Sequence, residues 1–385
     1  MNYSKIFKII AVASLLIISS ANHLLSAAPK KFNTPSSHPK TSVVLKGLGT
    51  LYLEKNKSNQ NDITQLVLKK SGNITILADT YEGLDPVELM QCDFDKDELP
   101  EVIVVVKYPN SPDVIPYVYT FNEGIEKVFP NPEKETELLN CRAAFLTFCN
   151  SKPALGLQFL VAFHDYAPPE LYRLEMYTID KSGFNLAQIG YNEGTHYNLL
   201  MNLAAEKMHL GRTKEAALLY EQAVASSSGD ISQKAFVEAL FCEAEALKFS
   251  GSYQNAMKLY EKIVLEFTDS NFTETAQKEL EFLAANKKSN KLLNEFFKIQ
   301  QEIINNNELV ALDKLEQLIN KNPNCNFMDR LLFTKAELLI SNNRIDEALE
   351  IYTSIKVKFP NSSIIDEVEE MLEDLEARPE DTDGL

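Results

Sequence analysis

The sequence is poor in the residue patterns that catalysis and metal chemistry require. It has only five cysteines in 385 residues, and no Cys-x-x-Cys pair, so the spacing of a zinc site is missing. Gly47 and Gly49 lack the third glycine and the following helix of a phosphate loop, and neither a nucleophile elbow nor a metalloprotease helix occurs. His164 and Asp165 are neighbours, but adjacent residues of a strand point to opposite faces. These absences predict a protein that is not an enzyme and requires no cofactor.

Basic residues are also scarce. Lys and Arg number 38 against 55 Asp and Glu, for a formal net charge of −17. This charge repels phosphate backbones, so nucleic acid is not an expected partner. Acidic residues are densest in one predicted helix before an acidic tail at 377–385: Asp366, Glu367, Glu369, Glu370, Glu373, Asp374 and Glu376. The run fits either the solvated cap of a helical stack or a surface for a basic partner.

An apolar run near the N-terminus, residues 9–18, is short for a membrane span. Lys5 and Lys8 precede it and small residues follow it, which predicts a signal peptide at 1–28. An uncleaved anchor is the alternative. The first cysteine is Cys92, so a lipid anchor is not expected. The protein is therefore predicted to be exported, periplasmic or associated with the cell envelope, with no membrane span after cleavage. Residues 29–42 are polar and rich in proline, and they predict a linker.

Export would allow disulfides, and Cys141 and Cys149 could then form one. The odd total of cysteines leaves at least one thiol free. Cys242 lies on a predicted repeat helix, where a small buried apolar role is expected.

Residues 43–192 predict a β-rich domain. Short runs of β-branched and aromatic residues alternate with turn residues, at 42–46, 64–69, 73–78, 102–107, 117–121, 155–163 and 171–179. The spacing leaves no room for crossover helices, so we expect an all-β open sheet or sandwich.

One loop in this domain carries a candidate calcium site. Its ligands would be the carboxylates of Asp93, Asp95, Asp97 and Glu101, with the carbonyl of Leu99, because Ca²⁺ prefers oxygen ligands. The loop and the strand after it resemble the Asp-x-Asp-x-Asp-x-x-x-Glu blades of integrin-type (FG-GAP) propellers, which usually carry glycine where this chain has Glu98. The alternative is a hydrogen-bonded turn between strands.

The C-terminal half repeats a pattern of one small and two apolar residues, spaced four and then three apart, which lie on one stripe of a helix. The four copies are Ala216, Tyr220, Ala223; Ala256, Tyr260, Ile263; Ala311, Leu315, Leu318; and Ala348, Tyr352, Ile355. Five residues before each copy stands a turn residue: Gly211, Gly251, Asn306 or Asn343. Pro323 and Pro360 each end a second helix. We therefore predict helical hairpins at 197–230, 237–270, 292–325 and 329–362, with one more helix in the long gap at 272–294.

This pattern resembles the tetratricopeptide repeat. The segments 259–270 and 351–362 are similar to exported repeat proteins of the bacterial envelope, such as the outer-membrane-assembly lipoprotein and the Tol–Pal coordinator. The resemblance implies an all-α tetratricopeptide-like solenoid at 196–376. The whole chain is thus predicted to be an α+β protein of two domains.

A solenoid of hairpins forms an extended surface that can hold a peptide or a helix of a partner. By analogy, the first helices would supply the contacts: Asn198, Asn202, Glu206, Glu243, Lys335 and Asn342. The predicted function is a protein–protein interaction scaffold in the envelope. The alternative is a ligand- or glycan-binding protein that acts through the β domain with calcium support.

Overall fold

The computed structural model describes residues 41–46, 48–57, 62–121, 125–130, 138, 140–164, 169–180, 183–192, 194–226 and 232–376. The predicted leader, nearly all of the predicted linker and the acidic tail lie outside these ranges. The chain divides into two compact units. One holds the strands, and the other holds the helices from Thr195 onward together with Phe163 and His164. The predicted fold class, a β domain followed by a helical solenoid, is confirmed.

The β unit consists of antiparallel strands in sequence order, paired with their neighbours in the chain. The described strands are β1 Ser42–Leu45, β2 Gly49–Lys57, β3 Asp62–Lys70, β4 Asn73–Glu82, β5 Asp85–Cys92, β6 Glu101–Lys107, β7 Val114–Thr120, β8 Glu126–Phe129, β9 Cys141–Cys149, β10 Lys152–Val161, β11 Leu171–Asp180 and β12 Gly183–Tyr191. They form three four-stranded sheets, β1–β4, β5–β8 and β9–β12. Each sheet is a simple meander, and the three sheets form the all-β domain that the sequence predicts.

The middle sheet packs on both of its faces. Val102, Val104 and Val106 of β6 belong to the core shared with the first sheet. The residues between them, Ile103 and Val105, belong to the core shared with the third sheet. Alternate residues of a strand point to opposite faces, so a strand covered on both sides must be apolar throughout. This explains the unbroken Val-Ile-Val-Val-Val run of β6, in which every side chain is buried.

The prediction that Cys141 and Cys149 could form a disulfide is wrong. The two residues begin and end β9, and eight steps along an extended strand separate them by about 26 Å. A disulfide needs Cα atoms within about 7 Å. Both cysteines are buried and free, because they lie at opposite ends of the same strand.

The helical unit consists of short helices joined by tight turns. The described helices are α1 Tyr197–His209, α2 Thr213–Ser226, α3 Gln233–Phe249, α4 Tyr253–Glu266, α5 Thr273–Ala285, α6 Asn290–Ile304, α7 Glu308–Lys321, α8 Met328–Ser341, α9 Ile345–Lys358 and α10 Ile365–Glu376. All four hairpin turns contain a left-handed residue: Gly211 (φ 70°), Gly251 (φ 82°), Asn306 (φ 58°) and Asn343 (φ 60°). The predicted hairpins and the extra helix, α5, are confirmed. Within the described ranges, no helix has both the length and the apolar character needed to cross a membrane.

The ten described helices form two similar modules of five. Each residue of α4 has its counterpart 92 positions later in α9, so that Ala256 and Tyr260 match Ala348 and Tyr352. The same offset relates α3 to α8 and α5 to α10. The hairpin α1–α2 corresponds to the hairpin α6–α7, and their turns lie at Gly211 and Asn306. The uneven spacing of the turns therefore reflects a duplicated module, α1–α5 and α6–α10.

Helix α6 packs across the turns of the first module. Gln301 Nε2 donates to the carbonyl oxygen of Met208 at the end of α1, at 2.9 Å. Two helical turns earlier, Asn294 Oδ1 accepts a hydrogen bond from the Tyr253 hydroxyl at 2.7 Å. A Cβ on Gly251 would lie 2.9 Å from that same oxygen, so alanine here would displace the Asn294 side chain, and the positive φ also favours glycine.

Candidate functional sites

The Asp93 loop connects β5 to β6 and gathers three of its four predicted carboxylates. Side-chain oxygens of Asp93, Asp95 and Glu101 lie within 4.8 Å of one another. Asp97 is not part of this group, and its Oδ1 accepts the backbone N–H of Leu99 at 2.8 Å. The three gathered oxygens match the kind of ligand that Ca²⁺ prefers.

The same carboxylates also hold the loop in its tight shape. Asp93 accepts the N–H groups of Asp97 at 3.1 Å and Glu98 at 3.2 Å, and Asp95 Oδ1 accepts the Asp97 N–H at 3.2 Å. Lys96 and Glu98 have left-handed φ values of 65° and 73°. Glu98 thus adopts a left-handed conformation that is more common for glycine. The hydrogen-bonded turn, which was the alternative to a metal site, is therefore present.

Glu101 is the buried member of the group. It is 1% exposed, and its Oε2 accepts the N–H of Phe94 at 2.9 Å. Burial raises the pKa of Glu101 to about 7, with a further contribution from the charge of Asp95 and Asp97. Burial also raises the pKa of Asp95. A bound cation would relieve this crowding of negative charge, so calcium binding stays a prediction for this loop.

The predicted contact residues on the first helices have different surroundings. Asn202 and Glu206 are each 3% exposed and lie inside the unit, so a partner does not reach them in this conformation. Lys335 pairs with Glu316 at 2.8 Å, and Asn342 Nδ2 donates to the carbonyl of Leu338 at the end of α8.

The remaining two predicted residues are more accessible. Asn198 lies in the first turn of α1, where its N–H contacts His196 Nδ1 at 3.3 Å. Glu243 is half-buried on α3, and its pKa is raised to about 7 by burial and by the charge of Glu221. Both side chains remain available for contact at the surface.

Asn202 holds a short length of main chain within the helical unit. Its Oδ1 accepts two consecutive backbone N–H groups, from Phe163 at 2.7 Å and from His164 at 2.9 Å. Its Nδ2 donates to the carbonyl of Asn198 one turn earlier, which fixes the amide orientation. Phe163 and His164 form a bend, which turns both N–H groups toward the one oxygen. A side-chain amide in this position binds main chain irrespective of the side chains that it carries.

The His164 side chain completes this contact. Its Nδ1 lies 3.2 Å from Glu238 Oε1 on α3, and its ring meets Tyr220 edge to face with 6.4 Å between centroids. The hydrogen bond with His164 lowers the pKa of Glu238. The sequence offered Asp165 as the neighbour of His164, but Asp165 lies outside the described residues. The acidic partner in the structure is 74 positions away in the chain.

A buried ionic network links α3, α5 and α8. Lys248 is 4% exposed and contacts Glu245 at 2.7 Å and Glu279 at 2.8 Å. Glu279 is 2% exposed and also binds Arg330 at 2.7 Å. The Arg330 guanidinium in turn lies 4.0 Å from the centre of the Phe282 ring. Because each charge is matched, the network joins the two modules without leaving an unpaired buried ion.

Sequence reasoning missed this network, although a signal was present. Glu279 lies three residues after Ala276 and four before Leu283, and so on the apolar stripe of α5. A charged residue on the stripe of an otherwise amphipathic helix must find a counter-ion in a neighbouring helix. The identity of that neighbour depends on the tertiary packing.

The comparisons with known proteins add no family. Neither a protein-family model nor a curated protein matches this chain. Among solved structures, one similar chain is a thermophilic TPR protein from Thermus thermophilus. The match has 16% sequence identity and a TM-score of 0.23, and it covers 46% of this chain and 98% of that chain.

Proposed function

We propose that the helical unit binds a partner protein in the cell envelope and that the chain acts as a non-enzymatic scaffold. The observation that carries this proposal is the contact of Asn202 with the backbone of Phe163 and His164. In this contact a first helix of the array binds a bent segment through its main chain.

The repeated hairpins continue this binding surface along the array. Stacked hairpins place successive first helices side by side, which forms a continuous binding surface. Asn198, Glu243 and Lys335 lie on three of these helices and are all partly exposed. The leader predicted at 1–28 supports export, and hence a partner in the envelope.

Site-specific photo-crosslinking in the chain without its leader tests the proposal. A photoreactive side chain is placed at Asn198, Glu243 or Lys335, and in control proteins at Leu265 or Val357, exposed residues of the second helices α4 and α9. After incubation with envelope extract, we expect one protein to be crosslinked from the first helices and confirmed by reciprocal purification. Equal crosslinking from the control positions would refute the proposed binding surface.

A second candidate function is ligand or glycan binding by the β unit with calcium support. The convergence of Asp93, Asp95 and Glu101 favours it. Crosslinking from the exposed Phe148 of β9 distinguishes the two candidates. If a partner or ligand is captured only from Phe148 and only with calcium, the β unit is the binding part and the first proposal fails.

A further inference from the structure

Helix α6 covers one end of the first module. Its Phe297 side chain contacts three aromatic rings, and the centroid distances are 5.5 Å to Phe249, 5.9 Å to Tyr253 and 6.5 Å to Phe282. These three residues lie at the end of α3, at the start of α4 and in α5. We call them the helix seat of the first module, because they hold a helix that belongs to the next module.

The second module has an equivalent seat, and it is open. The residues 92 positions later are Ser341, Ile345 and Asp374, at the end of α8, at the start of α9 and in α10. Ser341 and Asp374 are exposed and Ile345 is half-buried, whereas Tyr253 and Phe282 are each 7% exposed in the first module. Among the described elements, none covers the second seat as α6 covers the first.

The floor of the second seat is more apolar than that of the first. In the first module, Lys248 Nζ lies 5.4 Å from the centre of the Phe297 ring and pairs with Glu279. The counterparts of this ion pair are Ile340 and Met371, which are both half-buried and packed on the hydrophobic core. These side chains offer an apolar surface to a helix that lies across the end of the module.

The rim of the second seat is acidic. Asp374 stands where the first seat has a phenylalanine, and Asp346 replaces Gln254, which lines a cavity beside the start of α6. Both aspartates are exposed, and within the described ranges neither forms a hydrogen bond or an ion pair. The nearby cation of Arg344 is already engaged by Glu347 through two hydrogen bonds of 2.6 Å. The rim therefore complements a positively charged helix.

We propose that the open seat docks an amphipathic helix of a partner protein, in which an apolar residue is followed three positions later by arginine or lysine. This helix continues the array in the way that α6 continues the first module. The seat is a second surface, distinct from the one formed by the first helices, and neither surface requires the other.

The spacing of the two partner residues follows from the contacts of α6. Asn294 Oδ1 accepts the Tyr253 hydroxyl in the first module, but Ile345 has no hydroxyl to donate, so an apolar residue fits this place in the second. Three positions later, the place of Phe297 borders Ile345 and Asp374. A lysine or arginine there lays its aliphatic stem on the isoleucine and directs its charge to the carboxylate.

A second copy of this chain is a poorer occupant of the seat. Its α1 is the counterpart of α6, and the turns of the two hairpins lie 95 positions apart. The α1 residue equivalent to Phe297 is therefore Asn202, which is polar, 3% exposed and already bound to the backbone of Phe163 and His164. Because this face of α1 is occupied within its own unit, head-to-tail stacking of copies is not expected.

A helical peptide derived from α6 tests the seat. The probe is the capped sequence 290–304 with Asn294→Leu and Phe297→Arg. A lactam between Lys291 and Glu295, which are exposed on α6, holds it helical, because short isolated helices are marginal in water. One control peptide carries Phe297→Glu instead of Phe297→Arg. The other has the unsubstituted sequence and measures exchange with α6 itself.

Fluorescence anisotropy with the chain without its leader measures the binding. We expect the arginine peptide to bind at least about tenfold more tightly than either control, which is the effect of one charge-assisted hydrogen bond. Asp374→Arg should reverse the preference, so that the glutamate peptide binds more tightly. Glu350→Arg, the same change at an exposed acid of α9 outside the seat, should leave the preference unchanged. If Asp374→Arg does not fold, Asp374→Asn decides, because it should remove the preference for the arginine peptide over the glutamate peptide.

The proposal is overturned if the arginine and glutamate peptides bind equally, if no saturable binding occurs at millimolar peptide, or if Asp374→Arg keeps the wild-type preference. Two other occupants would also overturn it. A dimer in sedimentation velocity that Asp374→Arg dissociates would assign the seat to a second copy. Binding of the arginine peptide only after removal of residues 377–385 would assign the seat to the acidic tail.

Discussion

Replacing Glu279 by methionine tests how the buried ionic network stabilises the helical unit. Methionine has a similar length and no charge, so the change leaves the cations of Lys248 and Arg330 without their shared partner. Removing one member of a buried ion pair costs about 3–5 kcal/mol. Lys248 keeps Glu245, and Arg330 is 15% exposed and can reach water, so we expect the lower end, about 3 kcal/mol.

The loss should appear as a lower midpoint in urea unfolding of the chain without its leader, followed by circular dichroism at the helical band. Glu281→Met, at an exposed position of the same helix, is the control and should change stability by less than about 0.5 kcal/mol. The double variant Lys248→Met, Glu279→Met should lose less unfolding free energy than the two single variants added together, because it leaves neither residue of the pair charged without its partner. Additive losses, or a Glu279→Met protein as stable as Glu281→Met, would refute a linked network.

The pH dependence of stability gives an independent measure of the charge on Glu279. Burial alone would raise the pKa of Glu279, but Lys248 and Arg330 together hold it well below its ordinary value of 4.5. A carboxylate with a depressed pKa stabilises the fold above the unfolded pKa, and this stabilisation is lost as the pH falls below it. The wild type should therefore lose its advantage over Glu279→Met progressively below pH 4.5. An advantage that is constant down to strong acid would argue against an ionised Glu279.

Three further predictions concern the loop, the turns and the thiols. Calcium should raise the thermal unfolding temperature of the wild type and not that of Asp95→Asn. The affinity for calcium should increase as the pH rises through about 7, since Glu101 must lose a proton to bind the ion. The absence of a calcium effect on either protein would exclude the site. Gly251→Ala should destabilise the helical unit by about 1–2 kcal/mol in urea unfolding because of its positive φ and the blocked space, while Asn343→Gly should change it by a few tenths at most; equal effects would contradict the turn geometry. Thiol labelling of the unreduced, denatured protein should modify all five cysteines, whereas a result of three would indicate a disulfide.

Much of the helical unit was predictable because its signals are local. The stripe of alanine with tyrosine or leucine defines the buried face of each second helix, and glycine or asparagine marks each turn. These features depend on residues a few positions apart, within one helix and its cap. The duplication is also visible in the sequence, because the similar segments 259–270 and 351–362 lie 92 residues apart. The helix bounds are needed to extend the correspondence to α1–α2 and α6–α7.

The β unit was predicted in part. The apolar run of β6 is easily recognised in the sequence because both faces of this strand are covered. Seven of the described strands coincide with predicted runs. Strands β2, β5, β8, β9 and β12 were missed. In β12, most residues are exposed or half-exposed, so the alternation of apolar and polar residues is weak.

The candidate sites show where sequence reasoning ends. The Asp93 loop is contiguous, so its spacing alone brought three carboxylates together, but only the structure shows that Asp97 is engaged with the Leu99 backbone. Asn202 and Glu206 were predicted as surface contacts because they are polar residues on a first helix, and both are buried. Their burial depends on the neighbouring elements that pack on α1, and no pattern in the sequence of α1 indicates it.

The bridge formed by Lys248, Glu279 and Arg330 affects how the array comes apart. In a stack of repeats, each element touches mainly its neighbours, so separate parts can open independently. Glu279 belongs to the first module and Arg330 to the second, and Lys278 of α5 also pairs with Glu367 of α10 at 2.7 Å. Opening either module breaks contacts of the other. The two halves should therefore unfold as one cooperative unit, and amide hydrogen exchange in α3 and α8 should report the same opening free energy.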